Sequence, residues 1–592
     1  MSVVTAALER RLTVPLLGDC AVTQTRAFVQ WSRSQSCGKC VPCRIGLLQL
    51  EGLFDVVLSG AATAQNKRDA VIAAERLGRV IRDSADCAIG FEAAAQVLES
   101  LKKDRADYDR LISGGAAAPA PGLSVPCVSY CPANVDIPGY IALTQAGRYA
   151  DAVRLIRKDN PFPATCGLIC EHPCEEHCRR SIIDSALNIR GLKRFAVEYA
   201  GAAVPVPKRA SATGKKIAIL GGGPAGLTAA YFLALMGHNV AVFERRKYLG
   251  GMLRYGIPSY RLPRETLQWD IDAILSAGGI TVTTEISPKV AELQANHDAL
   301  FVAIGAHGEK HLGVDGEGMR GVMSAVALLR EVSPGPHRSP ETRETFDLIK
   351  GKTVLVVGGG NVAMDAARTA LRLGAASVSI VYRRRKEDMT ALPSEVEAAV
   401  AEGCQLLTMM APVRVEGEGD EAKALVVQPQ LPGPLENGRP KPVPAKKDSL
   451  RLSCDLIIVA VGQAVEKGIY DAKLVTKVFF DGGDCATGPA TVIKAIAAGK
   501  DAARRIDAAL GFDHHIMHPI TVDVDIPAPP LKNKPPLGRV EPAERLPLER
   551  RGDFDGMEIC CSAEEAAQET GRCLRCDRSG YGAFRGGRVT QW

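Results

Sequence analysis

Two patterns of apolar and polar positions alternate along the chain. Through residues 1–112 apolar side chains recur every three or four positions, as in VIAAERLGRVIRDS and FEAAAQVLESLKK, and this spacing predicts amphipathic helices. The run SGGAAAPAPG, 113–122, is small, polar and proline-containing, and it reads as a linker. Residues 123–205 lean helical again. From about Lys215 the period shortens: KIAIL, NVAVFE, ALFVAIG, TVLVVGG, SVSIVY and LIIVAVG alternate with glycine loops and helical stretches. That alternation predicts βαβ units and parallel sheets, an α/β fold. Beyond residue 512 the proline-rich IPAPPLKNKPPLG predicts an extended arm wrapped on the surface.

Composition narrows the class. A chain of 592 residues, 46% hydrophobic and 24% charged with 58 glycines, has the make-up of an ordinary α/β protein of several domains. A net charge of +6 is small for this length and gives no reason to expect nucleic acid, though a local basic face could meet an acidic electron-transfer partner. No apolar run approaches about 18 residues, so no membrane insertion is expected. The first twenty residues lack the basic, apolar and small-residue order of a signal peptide, and a cytoplasmic location is expected.

Two loops carry dinucleotide chemistry. KIAIL runs into Gly221-Gly-Gly223-Pro224-Ala225-Gly226 and then a helical stretch, and the next strand ends in Glu244. Such a loop turns tightly at the first glycine, lets backbone approach a pyrophosphate at the second and packs helix on strand at the third. The helix N-terminus stabilises phosphate charge, and an acid about 20 residues on accepts from ribose hydroxyls. A second loop, Gly358-Gly359-Gly360-Asn361-Val362-Ala363, repeats the logic with alanine in the third place. The strand after it ends in Arg383-Arg384-Arg385-Lys386, and cations there suit the 2′-phosphate of NADP(H), with NAD(H) the alternative.

Eighteen cysteines call for explanation in a chain expected to stay where disulfides are rare. Cys37, Cys40 and Cys43 sit within seven residues, with Cys87 further on; Cys127 and Cys131 form a second group with Cys166, Cys170, Cys174 and Cys178; Cys573 and Cys576 lie near the C-terminus. Thiolates this close suit soft metals, either zinc or iron–sulfur clusters. Cys20, Cys404, Cys454, Cys560 and Cys561 have no partner pattern and read as small hydrophobes.

The first hundred residues, with SCGKCVPCRIG and Cys87 in DCAIG, resemble the [4Fe–4S] region of the flavoprotein subunit of respiratory NADH dehydrogenase, without that subunit's FMN- and NADH-binding part. From 123 onward the order of motifs, PCVSYCP, NPFPATCGLICEHPCEEHCRR, LNIRGLKRF and the two glycine loops, resembles the small subunit of glutamate synthase. The matching half of dihydropyrimidine dehydrogenase and the NADPH-binding subunit of ferredoxin:NADP transhydrogenase share that order. The resemblance implies two interleaved Rossmann-like dinucleotide-binding domains preceded by two helical iron–sulfur domains. It divides the chain into 1–112, a linker 113–122, 123–205, an FAD part 206–345, a nicotinamide domain 346–465, a second FAD part 466–512 and an arm 513–592.

It also implies site residues. FAD would take the first loop with Glu244, the pair Gly250 and Gly251, Leu253, Ile304 and Gly305. The segment DGGDCATGPATVIKAI resembles the motif that closes the flavin site in two-dinucleotide-fold reductases. The resemblance implies that Gly483 and Asp484 belong to the site, that Asp484 would contact the ribityl chain, and that the helix opening near Thr491 and Val492 would face the pyrimidine end. Cys37, Cys40, Cys43 and Cys87 would hold one [4Fe–4S] cluster. The family's Cys-x-x-Cys before Cys127 is replaced by GLSVP, so the arm is expected to fold back and bring Cys573 and Cys576 to Cys127 and Cys178. The alternative is a separate zinc knuckle or redox pair. A third cluster would take Cys131, Cys170 and Cys174. Its fourth family ligand, a carboxamide or carboxylate, falls on Lys193, whose ammonium is no ligand, leaving Glu171, His172 or water. Cys166 matches a non-ligating cysteine.

These features together predict an oxidoreductase subunit. Nicotinamide carries hydride, clusters carry single electrons, and FAD interconverts them. No general base is assigned; the site residues position cofactors. Expected partners are the catalytic or iron–sulfur subunits of a larger redox complex, of formate dehydrogenase, hydrogenase, aldehyde oxidoreductase or ferredoxin-linked transhydrogenase type, and ferredoxin itself. A glutamate synthase small subunit and a non-catalytic electron relay are the alternatives.

Overall fold

The computed structural model describes residues 21–86, 88–114, 125–332, 347–436, 439–466, 478–514 and 535–576. Its first unit is a helical bundle. The longest helix there, Ala64–Ser84, starts where the Thr63 side chain accepts the Asn66 N–H, and it buries Ala70, Val71, Ala74, Gly78 and Ile81 on one face. That spacing packs it against Leu47–Leu58 and Ala88–Lys103 over a core of Val22, Leu50, Phe54 and Val97. A short π-helical turn, Pro42–Gly46, leads into Leu47–Leu58 and carries Cys43.

Short helices also build the second unit. Asp136 caps Ile137–Gln145 and Asn188 caps Ile189–Ala200, each through its side-chain oxygen. Phe162 and Phe195 fill the core between them, which is continuous with that of the first sheet.

Two five-stranded parallel sheets follow. In the first, the spatial order is Val478–Asp481, Ala299–Val302, Lys216–Leu220, Asn239–Phe243 and Ile280–Thr283. Its outer strand comes from far along the chain, so the second domain is inserted between the fourth and fifth strands of the first, the expected interleaving. The second sheet runs Val322–Ser324, Leu456–Val459, Thr353–Val357, Ser377–Tyr382 and Gln405–Thr408. An antiparallel sheet lies beside it, in which Glu421–Glu436 pairs with Met410–Glu418, Arg439–Pro444 and Leu450–Ser453, and it was not anticipated from the sequence. The helix Pro224–Leu235 is apolar all round because it is covered all round, by its own sheet and by Val492–Ala509.

Described arm residues cross back over the second helical unit. Helix Ala563–Arg572 opens with a reciprocal cap, Ser562 accepting the Glu565 N–H and Glu565 accepting the Ser562 N–H, and packs on Ile137–Gln145.

Candidate cofactor and electron-transfer site

The first glycine loop meets its requirements by close approach. A Cβ on Gly226 would lie 2.0 Å from the Gly221 carbonyl oxygen, and one on Gly251, at φ +52°, would lie 2.8 Å from the Gly223 Cα. The Gly250 N–H donates to the Gly222 carbonyl at 2.9 Å, seating the second glycine pair on the first loop. Glu244 is buried; its Oε2 accepts the Gly222 N–H at 2.8 Å and its Oε1 the Arg246 N–H at 2.9 Å. A cavity of about 280 Å³ opens over this loop, and Gly221, Gly223, Pro224, Ala225, Glu244 and Gly251 line it. Ile304, Gly305 and Asp484 line the same cavity. Gly226, Gly250 and Leu253 lie behind that wall as packing, and Thr491 precedes the first residue, Val492, of the helix beyond Gly483 and Asp484.

Burial shifts two titratable groups that face this cavity. Burial raises the Asp484 carboxyl to about 6, even though it accepts the Ala490 N–H. His307 also faces the cavity. Burial, then the nearby Arg245 and Arg246, hold its imidazole down to about 4, and its buried Nδ1 makes no hydrogen bond. An orphaned imidazole nitrogen in a glycine-lined cavity is a group that a bound flavin could satisfy. Nothing in the sequence marked His307, because a lone histidine after a strand carries no spacing signal.

The second loop is built alike. The Gly358 N–H donates to the Val381 carbonyl, and Gly360 precedes helix Asn361–Arg372, with Ala363 buried against the sheet. Val362 packs at the edge of that core, and a Cβ on Gly359 would strike the Tyr382 ring at 2.3 Å. Asn361 does two things: its Oδ1 accepts the Leu392 N–H, and its Nδ2 donates to Glu171 Oε1 at 3.1 Å. The second glycine loop therefore touches the segment between Cys170 and Cys174. In the basic turn, Arg383 is exposed, Arg384 donates to the Pro440 carbonyl, and Arg385 is held by Asp388.

Thiols gather as the sequence implied. Cys127, Cys178, Cys573 and Cys576 line one small cavity, about 30 Å³, although they come from opposite ends of the second unit and the arm. Burial first, then the neighbouring Cys573, Cys178 and Cys576, push the Cys127 thiol well up. Burial likewise raises Cys170, Cys174 and Cys178. Buried thiols that raise one another lose their protons when a cation compensates the charge, which is the donor chemistry of a metal cluster. The sites thus fit iron–sulfur clusters, whose thiolate ligands they would supply.

Lys193 is 6% exposed; burial opposes its charge, but Cys170, Cys166, Cys131 and Cys174 surround it, and those groups as thiolates outweigh the burial and raise its ammonium pKa. Glu171 is committed to Asn361, and His172 Nδ1 lies 3.0 Å from the Cys170 carbonyl oxygen. In the N-terminal bundle, backbone hydrogen bonds from Asp86 and Cys43 hold the Cys40 thiol below its ordinary range, and Gly90 stands against Cys43 Sγ. Cys37 is exposed at the rim, and Cys87 lies outside the described residues.

The return of the arm rests on buried charge that sequence reading missed. Arg180 donates to the carbonyls of Arg572 and Pro535, and Arg572 to Asp184 and to the Ser185 carbonyl. Glu569 accepts the N–H groups of Asn188 and Val540.

Comparison with known proteins agrees with this geometry. Residues 215–499 match the family model for pyridine nucleotide-disulphide oxidoreductases. Residues 123–204 match dihydropyrimidine dehydrogenase domain II with its 4Fe-4S cluster, and 23–111 the NADH-ubiquinone oxidoreductase-F iron-sulfur binding region. The chain is 34% identical to the NADP(+)-dependent formate dehydrogenase subunit beta of Moorella thermoacetica, over 94% of this chain and 90% of that one. It is 33% identical to the NADPH-Fe(3+) oxidoreductase subunit beta of Geobacter sulfurreducens, over 93% and 89%. The glutamate synthase [NADPH] small chain of Escherichia coli is 30% identical over 64% of this chain and 87% of its own length. No helix among the described residues is long and apolar enough to cross a membrane.

Proposed function

This chain belongs to the family of flavin-, nicotinamide- and 4Fe-4S-containing oxidoreductase subunits, and on that premise we propose that it exchanges electrons between NADP(H) and a partner subunit of a larger redox complex in the cytoplasm. FAD supplies the interconversion of hydride and single-electron chemistry. The loop Gly221–Gly226 with Glu244 and Asp484 holds it, and His307 offers a nitrogen to it. The loop from Gly358 to Ala363 holds the nicotinamide dinucleotide, and Arg383 with Arg384 selects the 2′-phosphate. Three clusters take Cys37, Cys40, Cys43 and Cys87; Cys127, Cys178, Cys573 and Cys576; and Cys131, Cys170 and Cys174. Lys193 serves the third as a charge partner. The domain limits are those drawn from the sequence except at 345, because Val322–Ser324 pairs in the second sheet and helix Ala325–Val332 packs in its core, which moves the start of the nicotinamide domain toward residue 322.

The observation that carries this reading is the Asn361–Glu171 contact, which sets the nicotinamide loop against a thiol-bearing segment. It brings hydride chemistry and one-electron carriers together within one chain. A partner that takes up or delivers those electrons, such as the catalytic subunit of a formate dehydrogenase or a metal reductase, is supported by the similarity to the two beta subunits over nearly their whole length. The glutamate synthase small chain matches 64% of this chain, against 94% and 93% for the two beta subunits, which favours the first reading over it.

The test is anaerobic purification of the full chain with FAD, followed by dye reduction with NADPH and with NADH. The expected result is turnover that favours NADPH, with about twelve irons and matching sulfide per chain. Bound FAD without turnover by either nucleotide would instead mean a relay or scaffold. Zinc without sulfide would remove the electron path.

A further inference from the structure

Away from the cofactor sites, three segments of the flavin half converge on one carboxylate. His238 follows helix Pro224–Leu235, Asp507 lies near the end of helix Val492–Ala509, and His514 follows that helix where the chain leaves for the arm. Their ligand atoms all lie within 4.8 Å of one another. His238 Nε2 and His514 Nδ1 are each 2.8 Å from Asp507 Oδ1, and Asp507 Oδ2 accepts the His514 N–H at 2.9 Å.

The surroundings fix the rings. His238 is fully buried, and its other nitrogen, Nδ1, lies 2.7 Å from Thr213 Oγ1, which in turn accepts the Lys215 N–H. Phe512 stacks on the His514 ring and meets the His238 ring edge-on. The Thr213 hydroxyl can donate or accept, so two proton arrangements fit these distances. In one, Nε2 donates to Asp507 and Thr213 donates to Nδ1. In the other, Thr213 donates to the Gly237 carbonyl at 3.4 Å, Nδ1 donates to Thr213 and Nε2 offers its lone pair to a cation shared with Asp507. A polar group bound to the far nitrogen is how proteins orient a metal-ligating histidine. Two imidazoles and a carboxylate form a donor set for zinc and its first-row neighbours.

We propose that His238, Asp507 and His514 bind one divalent first-row cation, zinc in the first instance, with water in the fourth position on the quarter-exposed His514 side. Each imidazole then carries its proton on the nitrogen facing away from the ion: His238 on Nδ1, toward Thr213, and His514 on Nε2. The ion ties the exit of the chain toward the arm to the back of the flavin domain, and it takes no part in electron transfer.

The test uses full-length holoprotein with flavin, iron and sulfide occupied, so that the cluster cysteines are not open to added metal. After treatment with a mild chelator, Zn²⁺ alone is titrated against a chromophoric competitor. Wild type is expected to take up one Zn²⁺ per chain more than His514→Gln or Asp507→Asn. Zinc X-ray absorption is expected to show nitrogen and oxygen neighbours near ~2.0–2.1 Å. Thr213→Val, which removes no ligand, is expected to weaken Zn²⁺ binding by roughly 10- to 100-fold while flavin and cluster spectra stay unchanged. Equal zinc uptake by wild type and the variants that retain full flavin and iron would overturn the site. So would sulfur neighbours alone, near ~2.3 Å, and the three residues would then be a carboxylate accepting two imidazole N–H bonds.

Discussion

Arg383 is exposed at the end of strand Ser377–Tyr382, with no ion-pair partner among the described residues, while Arg385 beside it is already neutralised by Asp388. An exposed, uncommitted guanidinium at that strand end is the group a 2′-phosphate needs, and Arg384, bonded only to a carbonyl, is the second. A hydrogen bond to a charged group contributes about 1.5–3 kcal/mol. Arg383→Ala is therefore expected to raise KM for NADPH by roughly 10- to 150-fold with little change for NADH, measured as dye reduction with each nucleotide. Equal effects on both would place Arg383 outside the phosphate site. The same scale shows why some residues were readable beforehand. Gly221, Gly226 and Glu244 belong to a local spacing rule, whereas His307 and Lys193 gain their surroundings only when distant segments close around them.

Elements in this molecule are joined by buried ion networks as much as by apolar contact. Glu402, fully buried, accepts from Arg368, Arg372 and Arg550, so one carboxylate ties helix Asn361–Arg372 to the arm. Burial alone would raise its pKa, but the Arg368 and Arg372 hydrogen bonds hold it down to about 2. A carboxylate depressed in the folded state contributes stability that is full above its ordinary 4.5 and is lost as pH falls toward about 2. Glu402→Gln is expected to destabilise the protein by about 3–5 kcal/mol at neutral pH, and by progressively less in acid, as read from unfolding across pH.

Arg572 is the corresponding anchor at the far end of the arm. Arg572→Ala leaves Glu569 without its cation, and Asp184 with Arg180 alone, next to Cys573. Both this variant and Cys573→Ser are expected to lose the cluster signal of one [4Fe–4S] centre, about four irons per chain, with flavin retained. Retention of every cluster signal in Cys573→Ser would sever the arm from the site. The return of Cys573 and Cys576 was legible because the cysteine count near Cys127 was one pair short. The ion networks were not, since pairing between residues hundreds of positions apart leaves no periodicity. Nor was the antiparallel sheet: Pro412, Pro429, Pro432, Pro440 and Pro442 make its strands read as loops, and the register shifts just after Pro412 and Pro432 show how the sheet absorbs two of them.

At the scale of the whole molecule, the N-terminal bundle matters for where its thiols open. From Val41 the backbone is helical through Leu58, so Val41, Ile45 and Leu48 fall on one face four and three residues apart, and they are 59%, 42% and 49% exposed. Cys37, exposed, precedes Val41 by four residues in the chain. An exposed apolar ridge is the kind of surface that meets another protein, and with the proposed N-terminal cluster at Cys37, Cys40 and Cys43 it is the face where a partner is expected to take up electrons. Replacing the ridge with charge, Ile45→Glu with Leu48→Lys, removes apolar anchors whose loss at an interface centre costs about 1–3 kcal/mol each. The double variant is expected to keep its iron, its flavin and its NADPH-driven reduction of a small dye, while electron delivery to the native partner falls at least about tenfold. Val80→Glu, at another exposed apolar position, serves as the control and is expected to change neither rate. Unchanged delivery in the double variant would make the ridge a solvated face and move the exit for electrons elsewhere on the chain. A parallel fall in dye reduction would mean that the substitutions had disturbed the bundle around Cys40 and Cys43 instead of the docking surface.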